Sequence, residues 1–281
     1  ERGMGAAVGQ VPEYVEMVTR WCKSHTNMPV LVKLTPNVTS ILGPAQAAKS
    51  GGGDGVSLIN TVNSITSIDL DLMAPTPTVD GKGSHGGYCG PAVKPMALHM
   101  CAEIARNAGT AGLPMSAIGG ISNWRDAAEF IALGAGTTQV CTAVMHYGFK
   151  IVEDMIDGLS DWMDQKGYAK ISDFQGMAVP NITDWQNLNM NYEIVAEIEQ
   201  TKCVKCGLCH IVCEDTSHQA ISAEKIKGER RYEVIDKECV GCNLCMHVCP
   251  ENCITMRKVD NGKDYMNWTQ DPRNPFSNAA E

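Results

Sequence analysis

Eight of the chain's cysteines fall in two runs of identical spacing. The first is Cys203-x2-Cys206-x2-Cys209-x3-Cys213. The second is Cys239-x2-Cys242-x2-Cys245-x3-Cys249, followed by Pro250. Such spacing leaves little choice of local fold. Three thiols at x2 intervals line one tight loop, and the fourth, beyond x3, lies on a helix leading away from it. The other five cysteines (Cys22, Cys89, Cys101, Cys141, Cys253) stand singly in ordinary sequence. Regular clusters in a chain with no export signal point to metal rather than disulfides, and so to a reducing cytoplasm.

This run is the spacing of bacterial two-cluster ferredoxins, in which the fourth cysteine of each run serves the other cluster. The expected ligands of one [4Fe–4S] cluster are therefore Cys203, Cys206, Cys209 and Cys249. Those of the second are Cys239, Cys242, Cys245 and Cys213. Gly207 and Gly241 are expected to leave room for sulfide beside the backbone. Zinc would need only paired CxxC units, so the duplicated run argues against it. Glu214 stands where the first run would carry its proline. Cys253 reads as a small buried residue rather than a ligand. Two clusters in one module pass single electrons, so the rest of the chain is expected to contain, or dock against, a redox centre.

With 281 residues and 44% hydrophobic content, the chain can bury one substantial core and carry a small appended module. A net charge of −9 and the absence of a basic run beyond "KGERR" exclude a nucleic-acid reading. No apolar run reaches membrane-spanning length. The chain opens on "ERGMG" without an initiator Met, which reads as a fragment or a processed product.

Residues 1–170 alternate between helical and strand patterns. "PEYVEMVTRWCKSH" has Pro at a helix start and apolar residues at helical spacing, and "MPVLVKLT" is a short buried-strand run. "TSILGPAQAAKSGG" reads as a helix ending in Gly, and "DGVSLINT" as a strand. After a long Gly-rich loop over 62–93 come helix "KPMALHMCAEIARNAG", strand "LPMSAIGG", helix "NWRDAAEFIALGAG", strand "TTQVCTA" and one helix over 145–167. Repeated βα units imply a parallel sheet. Four units cannot close an eight-stranded barrel but can form half of one. A doubly wound sheet is the alternative, although "VKLTPNVTS" lacks the glycines of its phosphate loop. Residues 171–199 read as a connecting segment with a short helix in "ISDFQGMA" and a Pro–Asn break at 180–181, 200–258 as the cysteine module and 259–281 as a polar tail.

Several residues of the alternating region are candidates for a site. Lys33 sits in an apolar strand, where a buried lysine needs a partner. At a strand's C-terminal end it could stabilise negative charge on a reduced flavin. "AIGGIS" and "QVCTAV" end the last two strands, and "GGYCG" adds a third glycine loop. Together they fit a phosphate bound by backbone N–H groups. Asn60 and Thr61, in "INTVNS", can hydrogen-bond an amide-bearing ring.

These segments converge on a family. "ERGMG", "VKLTPNVT", "GGGDGVSLINTV", "GGYCGPAVKPMAL", "AIGGISNWRDAAEFIALGA" and "QVCTAVMHYG", followed by the double cysteine run, closely resemble dihydropyrimidine dehydrogenase. The likeness is greatest to the bacterial catalytic subunit and covers all but the polar tail. Dihydroorotate dehydrogenases share the barrel motifs but lack the C-terminal ferredoxin. The resemblance implies an α/β fold: the C-terminal half of a TIM (β/α)8 barrel, then a small α+β two-[4Fe–4S] ferredoxin-like domain.

The resemblance also implies that Lys33, Gly90, Gly119, Gly120, Cys141 and Thr142 contact FMN, and that Asn60 and Thr61 bind the pyrimidine. The reaction it implies is reduction of uracil or thymine to the 5,6-dihydro compound. Electrons would come from NADH or NADPH through an FAD-containing partner subunit and the iron–sulfur clusters, in an oligomeric cytoplasmic enzyme. In this family the general acid is a Cys just upstream of the "ERGMG" stretch. No catalytic residue is therefore assigned within the chain, and the chain alone is expected to be inactive without the upstream half-barrel.

Overall fold

The computed structural model describes residues 5–188, 192–216, 218–226 and 228–259. The chain divides into two units, Glu1–Ile182 and Thr183–Glu281.

The first unit runs α1 (Gly5–Val8), α2 (Pro12–Ser24), β1 (Leu31–Lys33), α3 (Leu42–Ser50), β2 (Gly55–Leu58), β3 (Val62–Ser64), β4 (Ser67–Asp69), β5 (Ala74–Thr76), β6 (Gly86–Tyr88), α4 (Lys94–Arg106), β7 (Met115–Ala117), α5 (Trp124–Ala132), β8 (Thr137–Thr138), α6 (Thr142–Tyr147) and α7 (Lys150–Lys166). Strands β1, β2, β7 and β8 form a parallel sheet in that order. Each is followed by a helix, as the alternating sequence requires. All four residues of β2 are buried, because helices cover one face and the strand lies inside the sheet. The helices pack closely through small side chains: Ala45, Ala48 and Ala97 are fully buried, beside Val56, Leu58 and Phe130. Four βα units amount to half of an eight-stranded barrel.

Local chemistry sets the helix ends. Pro12 opens α2, where its missing N–H has no partner to lose. A capping box opens α5: Asn123 Oδ1 accepts from Asp126 N–H, and Asp126 Oδ2 accepts from Asn123 N–H.

The structure differs from the sequence reading at three places in this unit. The Gly-rich loop over 62–93 folds into two antiparallel ribbons, β3 with β6 and β4 with β5. The helix expected over 145–167 breaks at Gly148, whose φ of 78° ends α6 before α7 begins. The last strand of the sheet is only two residues long.

The segment expected to be a connector is divided between the units. Its first part packs on α5. Phe174 is 2% exposed, stacks with Tyr168 at 5.5 Å and meets Trp162 edge-on at 5.1 Å. Gly176 N–H and Ala178 N–H donate to the carbonyls of Ile131 and Ala132, each at 3.0 Å. Its last part, Glu193–Ile198, is a strand of the second unit.

The second unit contains β9 (Glu193–Ile198), α8 (Leu208–Glu214), β10 (Ile221–Ile226), β11 (Glu229–Val234), α9 (Leu244–His247) and β12 (Ile254–Val259). It is built from two antiparallel ribbons, β9 with β12 and β10 with β11. Its core is made of Ala196, Ile198, Cys209, Ile221, Tyr232, Cys245, Cys253 and Ile254. Half of those residues are thiols or alanine, too little apolar bulk for a module of this size without something else at its centre. The polar tail lies, beyond Val259, outside the described residues. Among the described residues no helix is long and apolar enough to cross a membrane.

Candidate active site and candidate cluster sites

Strand register sets the floor of a cleft in the first unit. Lys33 pairs with Ser57, Ser57 with Ser116, and Ser116 with Thr137. Register partners project to the same face, so one polar row crosses all four strands near their C-terminal ends. Ser57 and Ser116 are buried. Gln139 satisfies both: its Nε2 donates to Ser57 Oγ and to Ser116 Oγ, each at 2.8 Å. Thr137 Oγ1 donates to Ser116 Oγ at 2.7 Å.

A cleft of about 210 Å³ lies at this end of the sheet. Lys33, Asn60, Thr61, Gly90, Gly119, Gly120, Cys141 and Thr142 all line it. These eight come from the ends of all four strands and from the ribbon region, and the fold brings them together. Cys89, Ser122 and Gln139 also line it, with apolar walls from Ile59, Val93 and Ile121.

Lys33 is the last residue of β1 and is exposed, not buried as the sequence suggested. Lys33 nonetheless lines the cleft. The cleft walls still withhold enough water that burial lowers the Lys33 pKa, an effect opposed by the nearby Cys141. Asn37 fixes the Asn60–Thr61 corner: its Nδ2 donates to Thr61 O at 3.1 Å, and its Oδ1 accepts from Asn63 N–H at 2.9 Å. Asn60 Oδ1 accepts from Thr61 N–H at 2.8 Å.

The glycine loop is held from behind. Gly120 has φ +75°, and a Cβ there would lie 2.8 Å from Gly90 O and 2.9 Å from Lys94 Cβ. Only glycine fits that approach. Lys94 Nζ lies 2.6 Å from Asp126 Oδ1 and 2.9 Å from Glu129 Oε2. Asp126 Oδ2 accepts from Ser122 N–H at 2.8 Å, which ties the loop to α5. The α5 N-terminus is therefore closed by its own cap. The start of α6 has no side-chain cap. The first-turn N–H groups of a helix have no partner within the helix, and such a terminus suits an anionic group. A flavin phosphate would suit that terminus, and Lys33 lines the same cleft near Cys141.

In the second unit the cysteines line two cavities. One is lined by Cys203, Cys206, Cys209 and Cys249, together with Cys253, Gly207 and Tyr232. The other is lined by Cys213, Cys239, Cys242 and Cys245. Helix α8 makes the exchange. Cys209 is at its start and Cys213 one turn later, about 6 Å along the axis, so they serve different cavities. Among the described residues no three His, Cys, Asp or Glu side chains close on a single ion. The thiols stand around spaces instead, as a cubane requires and one zinc ion does not. Ala196 N–H points at Cys239 Sγ (3.4 Å) and Ala220 N–H at Cys213 Sγ (3.2 Å). Burial pushes the Cys209 thiol up to about 11 and raises that of Cys245. A bound cluster reverses that preference by deprotonating its ligands.

Gly241 departs from the sequence reading. It does not line its cavity; at φ +69° it lies against β9, where a Cβ would meet Ile194 O at 2.7 Å. Gly207 does line its cavity. Cys253 is 4% exposed, as a small buried residue should be, but it also faces the first cavity. Sequence reasoning missed Gln139, Ser57, Ser116, Lys94 and Asp126. The capping-box spacing of "NWRD" and the lone amide in "TTQVCTA" were the available signals.

Fold and sites together define an α/β half-barrel with a polar cleft at the strand ends, and a second unit whose cysteines line two cavities. Residues 3–163 match the dihydroorotate dehydrogenase family, and the chain belongs to it. Residues 196–256 match a 4Fe–4S dicluster domain. The NAD-dependent dihydropyrimidine dehydrogenase subunit PreA of Escherichia coli (strain K12) is 45% identical, over 78% of this chain and 53% of that protein. The chloroplastic dihydropyrimidine dehydrogenase (NADP(+)) of Arabidopsis thaliana is 37% identical, over 74% of this chain and 49% of that protein. The catalytic subunit of dihydroorotate dehydrogenase B (NAD(+)) from Pyrococcus horikoshii is 40% identical, over 63% of this chain and 56% of that protein. The chain thus spans about half the length of the relatives it matches.

Proposed function

We propose that the chain is the FMN- and cluster-binding part of a cytoplasmic dihydropyrimidine dehydrogenase that reduces uracil or thymine to the 5,6-dihydropyrimidine. The observation that carries this reading is the convergence of Lys33, Asn60, Thr61, Gly119, Gly120, Cys141 and Thr142 in one cleft. Similarity to PreA and to the plant enzyme supports the pyrimidine as substrate. The NAD dependence of PreA and the NADP(+) dependence of the plant enzyme support NADH or NADPH as the electron source, and PreA, being a subunit, supports a separate partner, for which we propose an FAD-containing subunit.

In this reading Gly90, Gly119, Gly120, Cys141 and Thr142 hold the FMN through backbone donors. Lys33 offers positive charge beside the ring system. Asn60 and Thr61 hold the pyrimidine by its amide edge, which fixes the face presented. When bound, FMN supplies hydride chemistry, and two [4Fe–4S] clusters supply single electrons. One cluster is held by Cys203, Cys206, Cys209 and Cys249, the other by Cys213, Cys239, Cys242 and Cys245. Proton delivery is left to a general acid outside these residues, contributed by the remaining half of the barrel.

A dihydroorotate-type oxidoreductase is the second reading, favoured by the match over residues 3–163. A pure electron carrier with a docking half-barrel is the third, and bound flavin separates it from the other two. The deciding experiment is anaerobic. The flavin of the assembled enzyme is reduced, then uracil, thymine or orotate is added. Rapid reoxidation by uracil or thymine supports the proposal, and reoxidation by orotate alone overturns it in favour of the second reading.

A further inference from the structure

Five cysteines line the cavity that four would fill. A cubane takes one protein ligand on each of its four irons, and Cys203, Cys206, Cys209 and Cys249 supply those. The fifth, Cys253, is not idle space. Its Sγ lies 3.4 Å from Cys249 Sγ, and its backbone N–H points at the same sulfur, also at 3.4 Å. The second cavity is lined by four cysteines and, among the described residues, no fifth.

We propose that Cys253 is a positioning residue for the cluster bound through Cys249: its thiol donates a hydrogen bond to the Cys249 sulfur and raises that cluster's reduction potential relative to the same cluster without it. This rests on the reading that these cysteines hold a [4Fe–4S] cluster.

The chemistry gives the direction. A ligating Cys249 is a thiolate and has no proton, so the S–H between the two sulfurs belongs to Cys253. Reduction adds negative charge to the cluster and its sulfurs. A donor aimed at one of those sulfurs stabilises the reduced form more than the oxidised form, and hydrogen bonds to sulfur are among the determinants of cluster potential. Burial of the thiol keeps water from replacing that donor. The fixed backbone N–H remains in every side-chain variant, so substitution isolates the thiol's share. Because the second cavity lacks a fifth thiol, it serves as an internal control.

The test is a redox titration of the full chain, purified anaerobically and followed by EPR, for wild type, Cys253→Ala, Cys253→Val and Cys253→Ser. Iron and labile sulfide should be unchanged in all four. In the Ala and Val variants one of two reduction steps should move to lower potential. A shift of about tenfold in its reduction equilibrium corresponds to about 59 mV for a one-electron couple. The other step should stay in place. Ser keeps a donor of nearly the same size and should recover most of the shift. A purely structural residue would behave in the opposite order, with Ala and Val tolerated at least as well as Ser. Unchanged potentials, or equal movement of both steps, would overturn the proposal. So would loss of one cluster or its conversion to a three-iron form in the Ala variant, which would make Cys253 a ligand. Should Ala and Val fail to fold, comparing Ser with wild type still decides: retained iron with a small shift supports the donor role, and loss of a cluster in Ser overturns it. Absence of labile sulfide from the wild type would instead sink the cluster reading itself.

Discussion

Lys94 Nζ and Asp126 Oδ1 lie 2.6 Å apart and join the start of α4 to the first turn of α5, to which Ser122 N–H ties the loop that carries Gly119 and Gly120. Asp126 is buried and also accepts from the N–H groups of Ser122 and Asn123. Asp126→Ala therefore leaves two backbone donors without their partner and the Lys94 ammonium with Glu129 alone. Each unsatisfied buried donor costs about 1–3 kcal/mol. The expected result is a clear loss in denaturant midpoint together with weaker flavin retention, because the glycine loop is no longer fixed. Normal flavin binding in a destabilised variant would show that the pair serves the fold alone.

The two lysines of this region should titrate with opposite sign. The hydrogen bond to Asp126 raises the Lys94 pKa above 10.5. Its contribution is therefore complete below 10.5 and is lost as pH rises through the higher folded value. Burial lowers the Lys33 pKa below 10.5. Its protonated form disfavours the folded state, so that penalty is complete below the lowered folded value and fades as pH rises from there to 10.5. Unfolding curves of Lys94→Met and Lys33→Met across the alkaline range should thus diverge from wild type in opposite directions.

Phe174 anchors the segment after α7. It is 2% exposed within a cluster of Trp162, Tyr168, Ala128 and Ile131. Phe174→Ala should destabilise the first unit by about 3–5 kcal/mol. Trp162 fluorescence should report the loss, and the iron–sulfur absorbance should be unaffected.

That anchor was invisible in the sequence, and the reason is physical. The sequence suggests a short helix in "ISDFQGMA", and residues 171–182 form two three-residue 3-10 helices, Ile171–Asp173 and Val179–Asn181. Their attachment comes from one aromatic residue and from backbone bonds to Ile131 and Ala132, which no local pattern announces. The Gly-rich stretch hid its ribbons similarly, since β3 to β6 are three residues each and pair at long range. The sheet was legible because buried parallel strands read as apolar runs between helical periods. The cysteine cavities were legible because covalent spacing alone decides which thiols can share a loop. The polar row was not, for register is a tertiary property: nothing in "VKL", "VSL" and "MSA" says that Lys33, Ser57 and Ser116 lie side by side.

Lys33 is expected to act on chemistry more than on folding. In the assembled enzyme, Lys33→Ala should slow pyrimidine reduction by about 10²-fold, the scale for removing one electrostatic stabiliser from a site. Its melting temperature should stay near wild type, since the side chain is exposed. Normal turnover would remove Lys33 from the mechanism.

Cys213 offers a test of the ligand exchange across α8. It lines the cavity of Cys239, Cys242 and Cys245, not that of its sequence neighbours. Cys213→Ala should therefore damage the cluster of the second run. Double variants sharpen this: adding Cys242→Ala should remove little further iron, whereas adding Cys206→Ala should remove the remaining cluster. The reverse pattern would mean that each run holds its own cluster.

Gln139 provides the last prediction, because it joins the cleft to the sheet beneath it. Its Nε2 is the hydrogen-bond donor shared by Ser57 and Ser116, which sit on adjacent strands. Gln139→Leu keeps much of the volume but leaves both buried hydroxyls without that donor, at about 1–3 kcal/mol for each group left unpaired. Thr137 still donates to Ser116, so the larger share should fall on Ser57. Ser57→Ala in the Gln139→Leu background should then recover stability, because replacing both partners by apolar groups removes the unpaired atom. The Ser57→Ala change alone should cost stability in wild type. Opposite signs for one substitution in two backgrounds, measured by urea unfolding of a double-mutant cycle, would establish the coupling. Equal and additive losses would mean that the row is a set of independent polar residues and that Gln139 does not hold it together.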